Sequence, residues 1–120
     1  MTKRIMIVED DESVRESFCE ILEAENLTVE AFENGLLAFE HLSNPSNPRP
    51  DLIILDLNMP KMNGLEFLKK SSEVGKDIPV ILLTASSSVI DVLELGREIR
   101  IARKPIDLDM FLAVVQELLK

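Results

Sequence analysis

The sequence predicts an α/β domain in which helices cover both faces of a parallel sheet. Three runs of four apolar residues, without polar alternation, favour strands buried on both faces; they are Ile5–Val8, Leu52–Leu55 and Val80–Leu83. Segments with the helical spacing of apolar residues separate these runs, and this alternation is typical of a doubly wound sheet. The chain has 120 residues, 46% of them hydrophobic, so we expect one domain over residues 1–120.

Local patterns predict the elements of the first half. In order they are the strand Ile5–Val8, a helix from Val14 to Asn26, the strand Leu27–Phe32, a helix over Leu36–Leu42 and the loop Ser43–Pro50. Either Asp11 or Ser13 can cap the first helix. Three prolines and two asparagines in the loop favour turn and extended conformations, so we interpret it as a surface connection.

The second half continues the same alternation of strands and helices. Its predicted elements are the strand Leu52–Leu55, a helix from Asn63-Gly64 to Gly75, the strand Val80–Leu83, a weak helix over Val89–Leu95, the strand Ile99–Ala102 and a final helix capped by Asp107. Met59-Pro60 ends the central strand, because proline cannot donate to a strand ladder. The chain therefore reads as five parallel strands and five helices in three layers.

Composition excludes several function classes. A net charge of -9 argues against direct nucleic-acid binding, which needs a basic face. The apolar runs are too short to cross a bilayer and the start lacks a signal-peptide pattern, so we expect no membrane association and a cytoplasmic location. A single cysteine, Cys19, excludes an internal disulfide.

Polar side chains follow four of the five predicted strands. They are Glu9 and Asp10 after the first strand, Asp56 after the third, Thr84 after the fourth and Lys104 after the fifth. The carboxyl ends of parallel strands lie at one edge, where open α/β sheets bind ligands. Three carboxylates there would repel one another unless a cation joined them, and oxygen ligands favour a hard cation such as Mg²⁺. With Lys104 beside it, Asp56 could be a nucleophile toward a phosphoryl group.

Four motifs, in this order along the whole chain, resemble the receiver domains of two-component response regulators. They are Val8–Asp11, Leu55–Gly64, Leu83–Ala85 and Lys104-Pro105. Such a set is more specific than any single motif. The resemblance implies the flavodoxin-like fold of CheY-like receivers and a phosphorelay function, with Asp56 as the phosphoacceptor.

The resemblance also implies roles for the other residues at this edge. Asp10 matches a direct Mg²⁺ ligand, Glu9 an acid that acts through water, Asn58 a residue whose backbone carbonyl completes the metal site, Thr84 a hydroxyl that bonds the new phosphoryl oxygen, and Lys104 a cation that contacts it. One departure concerns Ile101, which stands where the family usually has Tyr or Phe. The segment from Thr84 to Lys104 is also shorter than usual in the family.

Partners follow from the same resemblance. The expected donor is a sensor histidine kinase, a histidine phosphotransfer protein or a small phosphodonor. The domain would not be a conventional enzyme, although it would catalyse its own Mg²⁺-dependent phosphorylation and a slow dephosphorylation. Phosphorylation would switch its conformation and so control a downstream protein, with the domain as a monomer or a phosphorylation-dependent dimer. Because no linker follows Lys120, we expect a stand-alone regulator.

Two other function classes use a similar arrangement of residues. A haloacid-dehalogenase-like phosphohydrolase also uses Mg²⁺, a lysine and an aspartate at a strand end, but it needs a second acid two residues later. Here that position is Asn58, which cannot transfer protons. A flavodoxin-like binder of a flavin phosphate should have free amides in its first loop, where Glu9 to Glu12 would repel phosphate.

Overall fold

The computed structural model describes residues 2–57, 62–85 and 96–120. Within these ranges the elements are β1 (Arg4–Val8), α1 (Glu12–Glu23), β2 (Thr28–Phe32), α2 (Gly35–Ser43), β3 (Leu52–Asp56), α3 (Gly64–Gly75), β4 (Val80–Thr84), β5 (Ile99–Arg103) and α4 (Leu108–Leu118). The strands and helices expected in these ranges are therefore present. The weak helix expected over residues 89–95 lies outside the described residues.

The five strands form one parallel sheet with the order β2-β1-β3-β4-β5. From β1 the chain goes to β2 at one edge of the sheet, then returns to the other side of β1 and continues through β3 and β4 to β5 at the opposite edge. This path confirms the doubly wound fold. The reversal lies between β1 and β3, and ligands of open α/β sheets bind beside such a point. Within the described ranges, none of the helices combines the length and apolar character that crossing a bilayer requires.

Two hydrophobic layers hold helices on the two faces of the sheet. Successive residues of a strand point to opposite faces, so Met6 and Val8 pack with α2 and α3 while Ile5 and Ile7 pack with α1 and α4. All five residues of β3 are buried. This explains the apolar runs, because a central strand covered on both sides has no face left for polar residues.

Local signals fix the helix starts. The side chains of Asp11, Asn34, Asn63 and Asp107 accept hydrogen bonds from backbone amides in the first turns of α1, α2, α3 and α4. Of the two caps considered for the first helix, Asp11 takes the role, with Val14 N donating to its Oδ1 at 3.0 Å. After α1, Asn26 adopts a left-handed conformation with φ of 62°, which ends the helix.

Candidate functional site at the carboxyl edge of the sheet

Three acidic side chains meet at the carboxyl ends of β1 and β3. Glu9, Asp10 and Asp56 each present an oxygen, and these atoms lie within 4.8 Å of one another. Glu9 and Asp56 are buried, at 2% and 4% exposure, whereas Asp10 is exposed. The cluster thus opens to solvent on the side of Asp10, as a site for an ion or a small ligand requires.

The Glu9 carboxyl lies in surroundings that disfavour its charged form. Burial, followed by a side-chain hydrogen bond with Asp56, raises the pKa of Glu9 to about 8. The Asp11 amide donates to Glu9 Oε2 at 3.3 Å, whereas no described residue donates a hydrogen bond to the buried Oε1. A buried carboxylate oxygen that accepts no hydrogen bond is unfavourable unless a proton neutralises the carboxylate or a cation balances its negative charge.

The all-oxygen donor set fits a hard divalent cation. Mg²⁺ is held by one or two carboxylates together with waters, and the oxygens of Glu9, Asp10 and Asp56 are close enough to share one ion. The unsatisfied Glu9 Oε1 supports this fit. Asn58, whose backbone carbonyl was expected to complete the set, lies outside the described residues.

Lys104 brings a cation to Asp56. Its Nζ donates to Asp56 Oδ1 at 3.4 Å, and its side chain is 40% exposed. Its backbone amide donates to the carbonyl of Thr84 at 3.0 Å. The lysine is therefore tied to the end of β4 while its ammonium reaches the end of β3.

Thr84 lies next to the acidic cluster through the strand register. Asp56 pairs with Leu83 across β3 and β4, so Thr84 stands one residue beyond Asp56 on the neighbouring strand. Thr84 is fully buried. Sequence-based expectations had placed Glu9, Asp10, Asp56, Thr84 and Lys104 at one edge of the sheet, and the structure brings these five residues together there.

Ile101 lies away from this cluster, on β5. Its side chain is 36% exposed and lines a surface cavity with residues of α4, among them Met110 and Phe111. Ile101 pairs with Leu82 in the register of β4 and β5, two residues before Thr84. At the position where the family usually has an aromatic ring, this chain thus has the short aliphatic side chain of Ile101, which lies at the surface.

The family to which the chain belongs follows from its sequence. The family model described as the response regulator receiver domain matches residues 5–116. The chain belongs to this family. It is a receiver domain of two-component signalling, and the phosphohydrolase and flavin-binding alternatives gain no support from the match.

Relatives and solved structures agree with this assignment. The domain is 36% identical over 123 residues to the response regulator MprA of Mycobacterium ulcerans, covering all of this chain and 51% of that protein. It is 33% identical to the non-phosphorylated HemR receiver domain from Leptospira biflexa, with a TM-score of 0.85 and coverage of 99% and 95%. The receiver domain of a histidine kinase from Syntrophus aciditrophicus is 35% identical, with a TM-score of 0.83 and coverage of 98% and 90%. The chain spans about half the length of the MprA relatives that it matches.

Proposed function

We propose that this receiver domain accepts a phosphoryl group on Asp56 from a phosphohistidine donor and thereby controls a protein partner. One observation carries the proposal. Asp56 is a buried carboxylate at the end of the central strand, with a lysine ammonium 3.4 Å from its Oδ1 and two further acids within metal-sharing distance. Few reactions other than phosphoryl transfer use a nucleophilic carboxylate, a lysine cation and a binding site for a divalent metal together.

The proposed transfer exchanges one bond to phosphorus for another. An oxygen of Asp56 attacks the phosphorus atom and forms an O–P bond, while the P–N bond to the donor imidazole breaks and the imidazole regains a proton from solvent. Lys104, held beside Asp56 by its backbone bond to Thr84, stabilises negative charge on the phosphoryl oxygens. The domain thus contributes its own catalytic groups, and water can later hydrolyse the acyl phosphate slowly.

In this proposal Mg²⁺ is the cofactor. Asp10 and Asp56 would ligate it directly, Glu9 through water, and Asn58 through its backbone carbonyl. When bound, the ion neutralises charge on the carboxylates and on the transferring phosphoryl group. The proximity of the three acids and the unsatisfied Glu9 Oε1 support this assignment.

The proposed partners are a sensor histidine kinase or histidine phosphotransfer protein as donor, and a downstream protein as target. Thr84 would bond the new phosphoryl oxygen, since it follows Asp56 by one residue in the register of the two strands. The movement of Thr84 toward that oxygen would carry the signal from the site to the surface. The domain would act in the cytoplasm, as a monomer or a phosphorylation-dependent dimer. Ile101 would contribute little to the switch, because it is β-branched, stiff and already at the surface.

A small phosphodonor with Mg²⁺ tests the proposal without a known kinase. The wild-type domain should gain the mass of one base-labile phosphoryl group, and the gain should disappear when EDTA removes the metal. Asp56→Asn keeps the shape of the side chain but loses the nucleophile, so it should gain none. Asp10→Asn should need a much higher Mg²⁺ concentration for the same rate. Full labelling of Asp56→Asn would move the phosphoacceptor elsewhere.

A further inference from the structure

The acids Glu9 and Asp10 lie in the short connection between β1 and α1. β1 ends at Val8 and α1 begins at Glu12. The start of the connection stays attached to the sheet, since the Glu9 amide donates to the carbonyl of Phe32 at 3.0 Å. Asp10, the exposed acid of the cluster, lies one residue beyond this attachment. Its carboxylate can meet a metal ion at a defined place only if the backbone around it is held.

Arg15, near the start of α1, reaches back to this connection. Its Nη1 donates to the carbonyl of Glu9 at 2.9 Å and, in a longer hydrogen bond, to the carbonyl of Asp10 at 3.4 Å. The helix fixes the backbone of Arg15, because its amide donates to the carbonyl of the capping residue Asp11 at 2.9 Å. Hydrogen bonds from a charged donor are stronger than those between neutral groups. The half-buried guanidinium therefore ties the connection to α1.

The two carbonyls that Arg15 contacts flank the α-carbon of Asp10. The carbonyl of Glu9 belongs to the peptide unit before that atom, and the carbonyl of Asp10 belongs to the unit after it. Because a peptide unit is planar, a hydrogen bond to its carbonyl restrains the orientation of the whole unit. Restraining both units restrains the two backbone torsions of Asp10, and with them the direction in which its side chain leaves the backbone.

We propose that Arg15 is a positioning residue for the metal site, which acts by holding the Asp10 carboxylate beside those of Glu9 and Asp56. The inference rests on the proposed function, since it takes these three acids as the Mg²⁺ site. Their oxygens lie within 4.8 Å of one another, and a turn of the Asp10 backbone would separate them. Altering a group that orients a metal ligand typically lowers metal affinity by about tenfold or more.

The positive charge of Arg15 has the opposite effect on metal binding. A cation close to the site repels Mg²⁺, so its removal alone should strengthen Mg²⁺ binding. Loss of the two backbone contacts should weaken it. Arg15→Gln removes the charge, and its side chain is too short to reach both carbonyls. The sign of the change in Mg²⁺ affinity therefore distinguishes positioning from simple repulsion.

The test compares Arg15→Gln with Arg4→Gln. Arg4 is also half-buried, with a side chain 30% exposed, and its Nη1 donates to Glu30 Oε1 at 2.7 Å. It begins β1, whose other end leads to Glu9, and a rise of about 3.3 Å per residue puts it about 16 Å from Glu9. Both variants remove one arginine charge and its side-chain contacts, but only Arg15→Gln alters the backbone of Asp10.

Three measurements are made on each variant of the whole chain. They are Mg²⁺ affinity without a phosphodonor, the rate of Asp56 phosphorylation against Mg²⁺ concentration, and the urea midpoint of unfolding with EDTA. We expect Arg15→Gln to bind Mg²⁺ about tenfold more weakly, to need correspondingly more Mg²⁺ for phosphorylation, and to reach a near-wild-type rate at saturating Mg²⁺. The backbone carbonyl signals of Glu9 and Asp10 should shift in the NMR spectrum of this variant in EDTA. Arg4→Gln should bind Mg²⁺ as wild type does.

The outcomes separate this inference from the proposed function. If Arg15→Gln binds Mg²⁺ as tightly as wild type or more tightly, Arg15 is not a positioning residue, and a lower urea midpoint would then report a role in stability alone. If wild type binds Mg²⁺ but is not phosphorylated on Asp56, the proposed function fails, while the comparison of Mg²⁺ affinities still decides the role of Arg15. Should Arg15→Gln not fold, Arg15→Lys keeps the charge on a side chain that is one bond shorter. Weaker Mg²⁺ binding by that variant supports the inference, and unchanged binding overturns it.

Discussion

Arg97 anchors the chain just before β5 to the carboxyl end of α3, and its removal should destabilise the domain strongly. Its Nη1 donates to Ser71 Oγ at 2.7 Å and to the carbonyl of Leu68 at 3.2 Å. Its Nη2 donates to the carbonyls of Gly75 at 3.1 Å and Ile78 at 3.2 Å. The guanidinium thus joins the middle of α3, the carbonyl of its last residue, Gly75, and the segment that follows the helix.

The expected loss in Arg97→Ala follows from these four contacts. A hydrogen bond to a charged group contributes about 1.5–3 kcal/mol. The four share one guanidinium whose burial is itself costly, so we expect a net loss of about 2–3 kcal/mol in the free energy of unfolding. For a chain of 120 residues, the unfolding entropy is about 250 cal/mol/K, and the loss corresponds to a Tm lower by about 8–12 °C.

Unfolding by urea, followed by far-ultraviolet circular dichroism, measures this loss, since the chain has neither Trp nor Tyr. The matched control is Arg100→Ala. Arg100 also contacts partners, but these are the exposed carboxylates of Glu117 and Glu98, and exposed ion pairs contribute little. The control should unfold close to wild type. Equal stabilities of Arg97→Ala and Arg100→Ala would show that the contacts with α3 do not stabilise the fold.

Two further predictions concern the site. Because the pKa of Glu9 is raised to about 8, the folded metal-free domain holds a proton between pH 4.5 and 8 that the unfolded chain has released; its stability should therefore fall as pH rises through this window. Urea unfolding in EDTA should show this fall in wild type and a flatter profile in Glu9→Gln. Thr84→Ala should remain phosphorylatable on Asp56 but lose the phosphorylation-dependent change in partner affinity or self-association, whereas Ile101→Ala should keep it. The reverse result for Thr84 and Ile101 would refute the proposed route of the switch.

The sheet and its edge could be predicted because the relevant signals are local. A short apolar run such as Leu52–Leu55 favours a strand covered on both sides, and the polar residue that follows such a run then lies at its end. Parallel strands then bring those ends together without any further information. This is why Asp56 and Thr84, which are 28 positions apart, were expected at one edge of the sheet.

Contacts between groups far apart in the sequence could not be predicted in this way. The partners of Arg97 lie 19 to 29 residues before it, and no periodicity indicates which carbonyls an arginine will reach. The same holds for His41, whose ring packs on Phe32 and whose Nε2 lies 2.9 Å from Glu30. The close approach of Gly35 to Met62, whose carbonyl oxygen would lie 2.4 Å from a Cβ atom on Gly35, also depends on how α2 packs against the residues before α3, which requires the packed structure.

The position of the phosphoryl group tests the central claim most directly. Borohydride reduces an aspartyl phosphate to homoserine, so the phosphorylated domain can be reduced, digested and sequenced by mass spectrometry. We expect homoserine at position 56, in amounts that follow the extent of phosphorylation and vanish when EDTA replaces Mg²⁺. Homoserine at Asp10, Asp11 or another aspartate, with Asp56 unmodified, would contradict the assignment of Asp56 as the phosphoacceptor.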